Sequence, residues 1–169
     1  MLQSVFLPLG MTDSSYIWSK DYKYTKAFGH DIECKPVKVR NKFLCNVAYT
    51  LHTTIIDYTK FMQQILSENE VINNILSQKI VIYDKANPLH KISDSIFWGL
   101  GWGLQIINKD TLFWQWGDTK GFKSYVAASS GGNAIIVFTN GDNGLKAIPK
   151  MLEYLSNSNY PVFEVLNKI

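Results

Sequence analysis

The sequence predicts an α+β domain, an antiparallel sheet meander with flanking helices. Three observations predict it. Four runs rich in aromatic and β-branched residues lie between positions 96 and 140, and such residues fit a pleated, half-buried surface. The breaks between them, Asn108-Lys109-Asp110, Asp118 to Gly121 and Ser130-Gly131-Gly132, are short and rich in turn-forming residues, so they join antiparallel neighbours and cannot make a parallel crossover. Helical periods of apolar residues precede and follow this block.

Taken in order, residues 1–11 form an apolar run interrupted by Pro8 and closed by Gly10, which predicts a short helix ending in a turn. Residues 12–47 interleave Tyr16, Trp18, Tyr22, Tyr24 and Phe28 with polar side chains. They read as a long excursion with one hairpin around Cys34 to Phe43. Such an aromatic and basic mixture can stack on single-stranded nucleic acid, but Asp13, Asp21, Asp31 and Glu33 break up any positive groove. Packing under a loop is the expected use.

A helix follows, opened by a capping box in which the Thr54 hydroxyl accepts from the Asp57 amide and the Asp57 carboxylate reaches back to the cap. Ile55, Tyr58, Phe61, Met62 and Ile65 form its inward stripe. A second helix is expected over about Glu70 to Gln78, with Val71, Ile72, Ile75 and Leu76 on one side. Residues 80–95, marked by Asn87-Pro88, read as irregular. The strands then run over 96–107, 111–117, 123–128 and 133–140. The turn cluster Asn140 to Gly144 ends the last of them. A final helix has Pro149 in its first turn and Met151, Leu152 and Leu155 inward, and the apolar tail 158–169 is expected to dock.

Composition bounds the function. The 169 residues, 46% hydrophobic and 18% charged, suffice for one domain with its own core. The net charge of +3 comes from scattered lysines, not from the stripe that marks a nucleic-acid face. No apolar run approaches the roughly 20 residues that span a bilayer, and the N-terminus lacks the features of a secretory signal. Cys34 and Cys45 have no His or Cys at metal-ligand spacing, so free thiols or one incidental pair are expected, with no metal and no cofactor.

The chemistry-bearing motifs are few. Gly99-Leu-Gly101-Trp-Gly103 lies in a strand pattern with no helix after it, so it marks close backbone approach or a bulge and not a phosphate cradle. No Gly-x-Ser-x-Gly elbow occurs. His30, His52 and His90 have no Ser or Cys beside them in a nucleophile context.

Five stretches, in order, carry a resemblance. Phe6-Leu7-Pro8-Leu9-Gly10-Met11, Leu51 to Phe61, Trp98-Gly99-Leu100-Gly101-Trp102, Gln115 to Ser124, and Ile136 to Gly141 are similar to successive motifs of the serine β-lactamase and penicillin-binding protein superfamily, in its class C β-lactamase and esterase-like branch. The resemblance covers nearly the whole chain but corresponds to the C-terminal portion of that fold. It implies a partial β-lactamase/transpeptidase-like domain, with 1–95 as its helical and loop portion and 96–169 as sheet plus C-terminal helix, together one incomplete domain.

The resemblance also implies a serine hydrolase acting on β-lactams, peptidoglycan peptides or esters, usually in the bacterial cell envelope. Its Ser-x-x-Lys nucleophile and Tyr-x-Asn base would lie upstream of the Pro-Leu-Gly-Met stretch. Neither motif occurs in these 169 residues, so no catalytic residue is assigned and the chain is expected to be inactive alone. The family's third motif, on its active-site edge strand, corresponds to Gln115, Trp116 and Gly117, followed by Asp118; these are the candidate substrate-binding residues. In the family that motif is Lys-Thr-Gly or His-x-Gly; glutamine can donate a hydrogen bond but carries no charge, so its electrostatic help to an anionic substrate would be weaker. Trp114 and Trp116 could equally pack on one strand face. The last strand, Ala134 to Thr139, would have an open edge, expected to be covered by self-association, by strand exchange or by a separate N-terminal chain. A non-catalytic binding or scaffold module, and an enzyme with a different nucleophile, are the other readings.

Overall fold

A computed structural model describes residues 1–38, 44–156 and 158–166. Six strands form one sheet in the order β1 (Ile80–Val81), β4 (Ile96–Trp98), β5 (Gly103–Ile107), β6 (Asp110–Thr119), β7 (Phe122–Ser129) and β8 (Ala134–Thr139), while β2 (Tyr83–Asp84) and β3 (Asn87–Lys91) pair separately. From β4 to β8 sequence neighbours are sheet neighbours, the expected meander. Among the described residues four α-helices flank the strands in sequence: α1 (Ile55–Ser67), α2 (Asn69–Leu76), α3 (Gly144–Ser156) and the short α4 (Val162–Val165). The chain divides into two compact units. One holds Met1–Ile65, Gly117–Ser124 and Ile136–Gly144, and the other Leu66–Trp116, Tyr125–Ile135 and Leu145–Ile169.

In the second unit the β5/β6 register explains the core. Gly103 lies opposite Trp114 and Gln105 opposite Leu112, and directly opposed residues share a sheet face. Trp114 is fully buried and lies over Gly103 so closely that a Cβ there would sit 2.2 Å from the indole. Glycine is therefore demanded by close approach, as the strand-embedded glycines suggested. Trp98 meets Trp114 edge-on at 5.8 Å, and Trp102 meets Phe113 edge-on at 5.2 Å. Tyr125 of β7 and Phe163 of α4 bring their rings to 4.7 Å. With Tyr160, Val162 and Val165 also buried, the apolar tail docks over 158–166; its end, 167–169, lies outside the described residues.

The first unit is tied by polar groups. Leu2–Phe6 is a π-helical turn, and Gly10 closes the following turn at φ 63°. Phe6 is buried and stacks on Tyr16 at 5.8 Å. The amides and carbonyls of Ser15 and His52 exchange two hydrogen bonds, and His30 donates its amide to Asn140 and accepts from the amide of Asp142. The predicted capping box is half realised. The Thr54 hydroxyl accepts from the Asp57 amide at 3.1 Å, but the Asp57 carboxylate accepts from the Asp13 amide, the Ser14 hydroxyl and Lys60. Asp57 is 1% exposed, and a buried carboxylate so placed is costly unless several donors surround it. Burial pushes its pKa up, and Lys60, Ser14 and Asp13 outweigh this and hold it below the ordinary carboxylate value.

Several expectations are corrected. The run 96–107 is two strands, β4 and β5, reversed by a turn in which the Gly99 amide donates to Trp102 and Gly101 has φ 76°. Residues 80–95 are not irregular but hold β1, β2 and β3; Pro88 is tolerated because the two-stranded β2/β3 pair leaves an edge on which its missing N–H is no loss. Since α3 begins at Gly144, Pro149 lies inside the helix and not in its first turn. Ile148 and Leu152 are the residues α3 buries, whereas Met151 and Leu155 are 40% and 64% exposed. Ile55, expected inward on α1, is 44% exposed, and Met62 is its buried apolar residue. On α2 only Ile72 and Ile75 are buried. The expected hairpin at Cys34 to Phe43 appears as a tight turn: Asp31 and Lys35 bond, Val37 donates to Gly29, and Cys34 takes φ 62°. Its far end, 39–43, lies outside the described residues.

Candidate functional site

Strand β6 carries the four candidate residues. It is not a sheet edge over its length, because β5 and β7 flank it. Pairing with β5 nevertheless ends at Gly103 opposite Trp114, and β6 continues to Thr119. The backbone from Gln115 onward therefore runs past the end of β5. Edge character is confined to the stretch that holds the motif.

Each side chain has a definite environment. The Gln115 amide nitrogen donates to the Gly101 carbonyl at 2.8 Å, which fastens the β4/β5 turn to β6. Trp116, unlike its fully buried neighbour Trp114, is half-buried, so the two tryptophans divide between packing and partial exposure. At Gly117 an added Cβ would lie 2.5 Å from the Ser124 hydroxyl, so glycine lets this serine approach the strand backbone. Asp118 is half-exposed and pairs with Lys123 at 2.9 Å.

Lys123 was missed in the sequence. Only 7% exposed, it also pairs with Asp142 at 2.6 Å and donates to the Thr119 carbonyl at 3.0 Å. Burial draws its pKa down, but Asp142 and Asp118 outweigh this and raise it above the ordinary lysine value. Lys123 and the Gly121 amide hold Asp142 below the carboxylate range. Lys123 thus stays cationic, joining β6, β7 and the turn after β8. A lone lysine in the apolar run Gly-Phe-Lys-Ser-Tyr-Val was the available signal, since a buried ammonium needs partners.

The histidines serve the framework or stand apart. His30 Nδ1 lies 3.0 Å from the Asn140 carbonyl, so that nitrogen carries the proton. His52 packs against Trp18 and Tyr22, and His90 lies in β3. Cys34 and Cys45 are free and exposed. Among the described residues no group of three or more His, Cys, Asp and Glu could hold a metal, and no helix is long and apolar enough to cross a membrane. Past the end of β5, the backbone of β6 from Gln115 onward has no β5 residue opposite it.

No protein-family model and no curated protein sequence matches the chain. Solved structures do match it. A β-lactamase/D-alanine carboxypeptidase from Pseudomonas syringae superposes with a TM-score of 0.61 at 17% identity, over 83% of this chain and 47% of that one. A class C β-lactamase gives 0.63 at 20% identity over 91% and 50%. The octameric penicillin-binding protein homologue from Pyrococcus abyssi gives 0.62 at 16% identity over 91% and 36%. The chain thus spans half or less of the length of each of these structures. It has the α+β fold of the serine β-lactamase and penicillin-binding protein superfamily, over a part of that fold.

Proposed function

We propose that the chain is the C-terminal part of a serine hydrolase of the β-lactamase and penicillin-binding protein kind, acting on β-lactams, peptidoglycan peptides or esters. On this reading it supplies the substrate-lining strand and is inactive alone, because Ser-x-x-Lys and Tyr-x-Asn are not among its residues. The observation that supports it is the continuation of β6 from Gln115 to Thr119 past the end of β5, in the strand that the resemblance places along the substrate cleft. Gln115, Trp116, Gly117 and Asp118 would line the substrate, mainly through the backbone, since the Gln115 amide and the Asp118 carboxylate already have partners in the chain. The nucleophile and base would come from an N-terminal segment or chain that adds to β8, the last strand of the sheet. Self-association through the same edge is the alternative cover.

The uncharged Gln115 favours a second reading, a module that binds an amide-bearing ligand without turnover. Intact-mass analysis after exposure to a penicillin and a fluorophosphonate, paired with amide-shift mapping of penicillin binding, tests both. The expected result is no covalent adduct, with shifts at 115–118. An adduct on the isolated chain would overturn the proposal of inactivity, and shifts absent from β6 would remove these residues from the substrate site.

A further inference from the structure

The turn after β8 contains two Asn-Gly pairs, Asn140-Gly141 and Asn143-Gly144, and both asparagines act as clamps. The Asn140 carboxamide donates to the Phe28 carbonyl at 3.0 Å, and the Asn143 carboxamide donates to the Ile32 carbonyl at 2.8 Å. With the bridge that His30 makes to the same turn, these bonds fasten the strap 28–37. The strap itself lies against the β6–β7 turn. A Cβ on Gly29 would sit 3.1 Å from the Gly121 Cα, and one on Gly121 would sit 2.6 Å from the Val37 side chain.

Asparagine is a chemically labile residue, most of all before glycine. The backbone nitrogen that follows it can attack its side-chain carbonyl, and glycine has no Cβ to hinder the approach. The two pairs differ in the state of that nitrogen. The Gly144 amide donates to the Gly141 carbonyl at 3.0 Å, where α3 begins, so its hydrogen is held. The Gly141 amide has no hydrogen-bond partner among the described residues, because the bridge to His30 uses the Asn140 carbonyl and the Asp142 amide on either side of it. That Asn140 carbonyl accepts twice, from the His30 amide at 2.9 Å and from His30 Nδ1 at 3.0 Å. Donors on a peptide oxygen polarise the whole peptide group and make its N–H more acidic, which favours attack by the Gly141 nitrogen. Asn140 is also exposed to water.

We propose that Asn140 is a site of spontaneous deamidation whose products release the strap 28–37. The Gly141 nitrogen loses its proton and bonds to the Asn140 Cγ, the Cγ–Nδ2 bond breaks, and ammonia leaves with that proton. Water then opens the cyclic imide at one of its two carbonyls, giving aspartate or isoaspartate; no other reactant is needed. In the aspartate form a carboxylate oxygen faces the Phe28 carbonyl where an N–H had donated, so two acceptors oppose each other. In the isoaspartate form the main chain gains a methylene between Thr139 and Gly141, and the bridge to His30 loses its register.

Peptide mapping by mass spectrometry tests this on the folded chain held in mildly alkaline buffer, with the urea-unfolded chain as reference. Asn140 should gain the mass of an amide-to-acid exchange, with isoaspartate among the products, while Asn143 stays intact in the folded chain and converts in urea. Gly141→Ala, whose added Cβ would meet nothing within 4 Å, should slow the loss of Asn140 several-fold. The comparison of Asn140 with Asn143 inside one folded chain carries the test if that variant misfolds. Asn140→Asp, which supplies one product from the outset, should speed hydrogen exchange over 28–37 several-fold. Equal protection of Asn140 and Asn143 by the fold, or a folded Gly141→Ala chain that converts at the wild-type rate, would overturn the site. Unchanged exchange in Asn140→Asp would overturn the release of the strap.

Discussion

At the scale of single residues, the best-determined position is Gly103. Because the Trp114 indole occupies the place of a Cβ there, Gly103→Ala must displace a fully buried ring, and overpacking of this kind costs about 1–3 kcal/mol. Chemical denaturation should report that loss, and an unchanged midpoint would contradict the packing. His52 supplies a pH-dependent counterpart. Burial first, and then the Lys26 charge, lower its pKa from 6.5, and its Nε2 is buried without a partner. The unfolded chain therefore binds the proton more readily than the folded one, so this contribution is present above pH 6.5 and is lost as pH falls from there toward the lower folded value. His52→Phe keeps the ring against Trp18 and Tyr22 and should flatten the fall in stability between pH 7 and pH 5; parallel profiles for the two proteins would refute this. Residue roles were legible where they were local. The glycine pattern signalled close approach, and Thr54 and Asp57 signalled a cap. Lys123 and the Asp13 and Ser14 partners of Asp57 were not legible, because their partners are brought together by the fold from separate stretches of sequence.

At the scale of elements, the meander could be read because alternation and turn chemistry act within a few residues. Short strands could not. β1, β2 and the turn dividing β4 from β5 are held by pairing, and two- or three-residue strands carry too little periodicity to register. Helix α3 is a case in which tertiary burial overrides local preference. Pro149 lies inside it, where it lacks the N–H for the carbonyl of Leu145 and its ring crowds that turn, yet Ile148 and Leu152 are 1% and 0% exposed and anchor the helix on either side. Pro149→Ala should therefore stabilise the chain, by up to about 3 kcal/mol if α3 keeps its present course. Thermal unfolding checks this, and a lowered midpoint would mean that the proline sets a bend on which the packing of Ile148 and Leu152 depends.

At the scale of the whole molecule, the order of five weak motifs carried the fold, since each was short but together they ran the length of the chain. The substrate-facing role given to β6 came from the resemblance alone; what the structure adds is that β6 runs past the end of β5 over Gln115–Thr119. The sheet begins at β1 and ends at β8, and the two ends differ in kind. β1 is two residues long, short enough to offer little template. β8 spans Ala134–Thr139, has no charged residue, and exposes Phe138 by 39%. A long apolar edge strand with unpaired amides and carbonyls recruits another strand. In isolation the nearest source is a second copy, so light scattering across a concentration series should give a mass rising above that of the monomer. Ile136→Lys places a charge in the middle of that edge, the device by which natural edges resist pairing, and should return the mass to that of a monomer without unfolding the chain. If an N-terminal polypeptide is the native cover, adding it should dissociate the self-associated form, and the Lys substitution should weaken both associations together. A wild-type chain that stays monomeric at every concentration would show that the β8 edge is closed by the protein's own means, and the proposed partner strand would have no place to add.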